Sequence, residues 1–272
     1  AFAKFSFFKE DSVIPDFVRQ WFDSLLPIML VIAGGWLIVQ VAGVDVAGAV
    51  QAVFMPLQSA LTSPVGFVFF CFLKCFIYSM GISTWVLTPV DEPVKLAVIT
   101  ANLELVAAGV ATYQNLGIFT ETFMFCTYLW IGGVGCTLSL CLLMMVICKS
   151  SELKALGRAC IVPGIFNINE PIIFGAIAWN PLLMLPMWIQ GIILPIVTYI
   201  FTKVIPFAPI PRIQFDLWYC PYPISTFIAT QGSITGVIFA ILTFVLSAVI
   251  WFPFVKAYDD QKVKEETAAI KA

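Results

Sequence analysis

Residues 160–181 read Cys-Ile-Val-Pro-Gly-Ile-Phe-Asn-Ile-Asn-Glu-Pro-Ile-Ile-Phe-Gly-Ala-Ile-Ala-Trp-Asn-Pro. Asn167, Asn169 and Glu170 stand at the centre among apolar residues, and Pro163, Pro171 and Pro181 divide the stretch. Pro171 has no backbone N–H to give, and Gly164 and Gly175 allow turns, so an unbroken helix is not expected. An apolar segment that is broken, too short to cross a bilayer and polar at its middle reads as a re-entrant hairpin. Irregular backbone at membrane depth is tolerated only where protein buries it or it lines a watery cavity. A carboxylate there is costly, which makes Glu170 a candidate for a functional site. The alternative is an interhelical loop whose Glu reaches interfacial water.

Working outward, the composition identifies the solvent. The chain of 272 residues is 61% hydrophobic and 11% charged, with 25 Phe, and its mean hydropathy is +0.99. Globular domains average about a quarter charged residues, so this is an integral membrane protein. Long runs of Phe, Ile, Leu and Val mean helices rather than the alternation of a barrel. A net charge of −2 with no basic block argues against a nucleic-acid partner. The eight Cys lie mostly inside apolar segments and read as reduced, buried small residues. Cys71 and Cys75 share a helix face, but the chain has no His, so no metal site and no His-based chemistry is expected. No cofactor is called for. The chain starts Ala-Phe-Ala-Lys without Met or a signal-peptide pattern, and reads as a fragment.

In order, residues 1–23 mix aromatics with charges, as at a membrane interface. Ser24 to Val41 reads as a first span, bent at Pro27 and Gly34-Gly35. Asp45 to Leu61 is an amphipathic segment lying in the interface. Val65 to Leu87 is a second span whose Lys74 either snorkels, the favoured reading, or faces a partner. From Thr88 to Thr120 the chain is more polar, with a short helix over Val94 to Val106. Phe119 to Cys148 is a third apolar stretch, whose Gly132-Gly133-Val134-Gly135 reads as close helix packing through small residues. Leu182 to Phe207 is a span bent by Pro186 and Pro195. Pro206 to Pro223 is irregular, Ile224 to Thr230 is a short element, and Gly232 to Tyr258 is the last span before a charged tail. The basic residues of 149–158 and 256–264 fall on one side, the cytoplasm, if 160–181 returns to the side it left.

Several landmarks carry a family resemblance: Gly164-Ile-Phe-Asn-Ile-Asn-Glu-Pro-Ile-Ile-Phe-Gly175, the preceding Lys149-Ser-Ser-Glu-Leu-Lys-Ala-Leu-Gly157, Asn180-Pro181, Ile228-Ala-Thr-Gln-Gly232, and Trp251-Phe-Pro-Phe-Val-Lys-Ala-Tyr-Asp259. Together they resemble the enzyme IIC component of lactose/cellobiose/chitobiose sugar permeases of the phosphotransferase system, over Ile14 to Asp259. The resemblance implies an all-α membrane protein: a bundle of transmembrane helices with re-entrant hairpins and an amphipathic interfacial helix. It divides the chain into 1–61, the last helix of a dimerising N-terminal part plus connector; 62–258, the substrate-binding transport domain; and 259–272, a cytoplasmic tail.

By the same resemblance, Glu170 bonds the sugar near its 6-hydroxyl and serves as the catalytic acceptor, with Asn167 and Asn169 beside it and Trp218 stacked on a ring. Ser83, Tyr78 and Glu121 complete the expected binding set. Ser83 is a departure, because the family reads Gly-Ile-His-Gly where this chain has Gly81-Ile82-Ser83-Thr84. Glu121 lies in Thr120-Glu121-Thr122-Phe123 where the family has Thr-Glu-Pro-Phe. The implied partners are a β-linked disaccharide, a phosphorylated enzyme IIB donating from a phosphocysteine, membrane lipids, and a second copy in the full-length form. The implied location is a bacterial cytoplasmic membrane, crossed several times. Two other readings remain: an ion-coupled secondary transporter using Glu170 with Glu121 or Asp91, and a non-transporting sugar sensor.

Overall fold

Whether the apolar runs form helices long enough for a bilayer decides the architecture, and three do so among the described residues: Phe22–Val41, Pro181–Val204 and Ile234–Ala269. The computed structural model describes residues 16–45, 49 and 57–271, and contains no strand among them. The chain forms two units, Ala1–Val53 and Phe54–Ala272.

The first unit contributes α1, Asp16–Trp36, which widens into a π-helical turn at Leu37–Val41. Its apolar window is wholly unburied within the unit, as for a helix whose neighbours are lipid or other chains. The expected span over Ser24 to Val41 is present. The amphipathic 45–61 and the interfacial 1–23 fall largely outside the described residues, although 57–62 are helical.

In the second unit, α2 spans Pro64–Ser79, started by Ser63, whose side chain accepts from the Gly66 N–H. It is shorter than the Val65–Leu87 expected. Gly81 takes φ +76°, which ends the helix, and a 3₁₀ turn follows at Thr84–Leu87. α3 runs Thr88–Ala107, longer than the 94–106 expected, because Pro89 is preset for the first helical turn and Asp91 suits its positive end.

The 119–148 stretch differs most from expectation. It is α4, Glu121–Cys126, then an irregular loop, then α5, Leu138–Ile147. Gly132, Gly133 and Gly135 have φ of +83°, +94° and +89°, so these glycines build a loop and are not a helix-packing stripe. A Cβ on Gly133 would stand 2.4 Å from Asn169 Cγ; only a bare backbone fits there.

α6, Ser151–Ile165, is capped by Ser150 and breaks at residues 166–169. The return leg is α7, Glu170–Ile172, which continues as a π-helical turn to Ile177. This is the hairpin that the prolines announced. α8, Pro181–Tyr199 with a π-helical end at Ile200–Val204, follows as expected. Residues 205–223 are irregular, and α9 is Ile224–Ala229. α10, Ile234–Lys271, is one helix of 38 residues, so the stretch 259–271 extends the last span as helix. Lys262 with Glu265 and Gln261 with Glu265 supply the helical side-chain pairs that sustain it.

α2 packs on α8, α5 on α6, and α10 on both α8 and α5. Trp130, Trp251, Tyr128, Phe67, Phe119 and Phe123 are the largest fully buried side chains. Polar groups pin this core. Gln190 Nε2 donates to the Ser247 carbonyl at 3.0 Å, and the Ser247 hydroxyl donates to the Cys136 carbonyl at the end of the glycine loop at 3.1 Å. At the far end of α6, Asp259 accepts from the Lys149 and Ser150 N–H groups at 2.8–2.9 Å, and Glu266 accepts from the Glu152 N–H at 3.0 Å. Two carboxylates of α10 thereby cap the helix that leads into the hairpin.

Candidate functional site

A cavity of about 330 Å³ opens in the second unit where the interrupted segments converge. The hairpin break, the glycine loop, the proline-rich loop, the end of α2 and the starts of α3 and α4 all face it.

Asn167 and Asn169 shape one wall. Asn167 holds φ +60°, a conformation Asn tolerates better than most residues. Its Oδ1 accepts from the Gly132 N–H at 2.7 Å, and its Nδ2 donates to the Trp218 carbonyl. One buried amide thus joins hairpin, glycine loop and proline-rich loop. Asn169 Nδ2 donates to the Val134 carbonyl at 2.9 Å, while its Oδ1 accepts from the Tyr78 hydroxyl at 3.3 Å. Both amides are engaged with protein, and their chief effect is to hold the backbone of three loops in register.

Glu170 starts α7 with an exposed side chain in this cavity, and no cation pairs with it among the described residues. The Tyr78 hydroxyl lies beside its carboxylate. Trp218, half-buried, lines the same space, and Glu121 joins the lining from the first turn of α4. Of the residues expected from the sequence, Tyr78, Glu121, Asn167, Asn169, Glu170 and Trp218 therefore meet around one cavity. Ser83 does not line it. Its hydroxyl is exposed and accepts from the Trp85 N–H at 3.4 Å, capping the 3₁₀ turn, and that turn sends Thr84 and Trp85 into the cavity instead.

The sequence reading missed the charges of the other wall. Lys74, favoured above as a snorkelling residue, is 4% exposed and pairs with Asp91 at 2.6 Å. Its ammonium stays inside because Asp91, itself fully buried, needs a counter-charge there. Lys95 lies 2.6 Å from Glu121, 2.7 Å from Glu92 and 3.6 Å from Asp91. A lone Lys inside an apolar run and an Asp-Glu-Pro-Val-Lys cluster were visible separately. Nothing in one sequence says that they meet. Asp216, held by the Thr122 hydroxyl at 3.4 Å, and Trp85 also line the space.

Among the described residues no group of His, Cys, Asp and Glu is arranged to hold a metal ion. All eight cysteines are free, seven of them buried and Cys220 half-exposed.

Comparison with known proteins identifies the family. Residues 5–191 match the family described as "Phosphotransferase system, EIIC". The chain is 33% identical over 261 residues to the lactose-specific EIICB component of Lactococcus lactis subsp. lactis, covering 93% of this chain and 44% of that protein. It is 32% identical over 262 residues to the cellobiose-specific EIIC component of Geobacillus stearothermophilus, covering 94% and 57% respectively. The chain thus spans about half the length of such relatives. Among solved structures it is similar to the transporter ChbC, the IIC component of an N,N'-diacetylchitobiose-specific phosphotransferase system, with a TM-score of 0.73 and 31% identity, over 96% of this chain and 61% of that one. All-helical architecture, a broken hairpin carrying Asn-Ile-Asn-Glu-Pro, and sequence similarity along nearly the whole length place the chain in the enzyme IIC family of the phosphotransferase system.

Proposed function

We propose that this chain forms the substrate-binding part of a sugar permease in a bacterial cytoplasmic membrane, and that it carries a β-linked disaccharide of the cellobiose, chitobiose or lactose type. The observation that carries this reading is the convergence of Glu170, Tyr78 and Trp218 on one cavity large enough for part of a sugar, within a chain of this family. An ionised carboxylate accepts hydroxyl hydrogen bonds, and indole faces pack against the apolar C–H faces of sugar rings. Names of relatives support the substrate class: lactose, cellobiose, lichenan and diacetylchitobiose.

Phosphorylation would come from a separate enzyme IIB, in keeping with relatives named EIICB components. The phosphoryl group would leave the sulfur of a phosphocysteine for a sugar hydroxyl, whose proton passes to Glu170. This chain's own thiols outside the spans suit no such donor role. Burial, with Asp259 nearby, pushes the Cys148 thiol up to about 12, and burial also raises Cys220. The two carboxylates besides Glu170 that an ion-coupled transporter would use, Asp91 and Glu121, are each held by a lysine.

The test is binding of a panel of labelled β-disaccharides to wild type and Glu170→Gln. The amide keeps the shape and removes the charge, so affinity for one sugar should fall by about 1–3 kcal/mol. Equal binding by both forms removes Glu170 from the site. Phosphorylated sugar inside vesicles supplied with the energy-coupling proteins distinguishes a phosphotransferase permease from an ion-coupled carrier and from a sensor.

A further inference from the structure

Lys95 lines the cavity, yet it has little to offer a ligand. Its side chain is 7% exposed, and its ammonium faces Glu121 Oε2 at 2.6 Å, Glu92 Oε2 at 2.7 Å and Asp91 Oδ2 at 3.6 Å. The Glu121 and Glu92 oxygens are close enough to take two of its three N–H donors, and Asp91 adds a longer electrostatic contact. Asp91 is in turn shared with Lys74 at 2.6 Å. An unbroken line of charges therefore runs from α2 through α3 to the first turn of α4.

Glu121 is the end of that line which reaches the cavity. Its Oε2 is anchored, its side chain is 23% exposed, and Oε1 has no donor among the described residues. Thr120 fixes the backbone beneath it by accepting from the Phe123 N–H at 3.1 Å. A carboxylate with one oxygen tied and the other open is an oriented acceptor. Free rotation would scatter the same group over several rotamers, and anchoring removes that entropy before a ligand arrives.

We propose that Lys95 is a positioning residue that aims Glu121 at a second hydroxyl of the bound sugar, and that Asp91 and Glu92 hold Lys95 in place for that task. The inference rests on the cavity being the sugar site. With Glu170 on the hairpin and Glu121 on α4, a disaccharide is gripped by two acceptors on separate elements. Which hydroxyls they meet then helps to determine which sugar fits. The charge line is thus a specificity device: it sets the direction of one acceptor.

The experiment measures binding of the sugar found by the panel to the full-length permease, in wild type, Glu121→Gln, Lys95→Met, Lys95→Arg and the double variant Lys95→Met/Glu121→Gln. The expected result is about tenfold weaker binding for Glu121→Gln and for Lys95→Met. The double variant should bind no more weakly than either single one, and Lys95→Arg, which keeps the charge, should stay within a few-fold of wild type. Additive losses in the double variant would mean that Lys95 acts independently of Glu121, and would overturn the proposal. So would wild-type affinity in Glu121→Gln. If Lys95→Met does not fold, Glu121→Gln is compared with wild type on mono-deoxy analogues of the sugar. The variant should lose discrimination against one analogue, and an unchanged ranking overturns the proposal. Wild type that binds no sugar at all would defeat the permease reading and this inference together. Binding that is indifferent to Glu121 defeats this inference alone.

Discussion

The two walls of the cavity are built on opposite electrostatic plans. On the α2–α3 side, two lysines, Lys74 and Lys95, are set among three carboxylates, Asp91, Glu92 and Glu121, in a line of ion pairs buried at Lys74, Asp91 and Lys95. On the hairpin side, uncharged amides do the holding: Asn167 and Asn169 pin loops through backbone groups, and Glu170 stands without a paired cation among the described residues. The first plan suits continuous helices, because regular elements carry no spare backbone groups and must be joined through side chains. The second suits broken segments, whose unpaired N–H and C=O groups need partners wherever water is excluded. The charged wall is rigid because separating its charges is costly. The amide wall is rigid because its glycines leave room for nothing else.

The comparison is broken most sharply at Asp91. Asp91→Ala leaves Lys74 buried without its partner, and we expect the largest loss of stability, about 3–5 kcal/mol. Thermal unfolding of the detergent-solubilised protein measures it, and Lys74→Met combined with Asp91→Leu should recover most of the loss. If Asp91→Ala melts like wild type, the charges do not hold that wall. Gly133→Ala attacks the other wall. A Cβ at φ +94° would press on Asn169, and we expect about 1–3 kcal/mol of destabilisation with loss of sugar binding. Unimpaired binding in that variant would show that the glycine loop does not need its close approach. The smallest effect belongs to Ser83→Ala, which removes a 3₁₀ cap outside the cavity and should cost below about 1 kcal/mol, with affinity within a few-fold of wild type. A tenfold fall would bring Ser83 into the site and redraw the boundary between the two walls.

The hairpin was legible because prolines and clustered polar residues interrupt an apolar run, and that local signal survives in one dimension. The glycine loop was not. A run of Gly fits close helix packing as well as it fits positive φ, and only the backbone angles and the close approach of Asn169 to Gly133 in the folded chain decide between them. The last span was legible as an apolar run, but its continuation through 259–271 rests on side-chain pairs and on contacts with residues 149–152. Trp218 became a candidate through family resemblance, since an aromatic in a proline-rich loop carries no sign of what it faces. The ion pairs of Lys74 and Lys95 join separate helices, and periodicity within each helix is silent about its neighbours.

The capping of α6 by Asp259 and Glu266 has a consequence for the order in which the protein is made. The helix that presents Asn167 and Glu170 is emitted by the ribosome well before the carboxylates that satisfy its leading N–H groups. Until α10 has been synthesised almost to its end, the hairpin holds to the earlier chain through Asn167 and Asn169 while the start of α6 lacks these two acceptors. Chains arrested before Asp259 should therefore be cut in the 149–152 region, and chains arrested after Glu266 should resist.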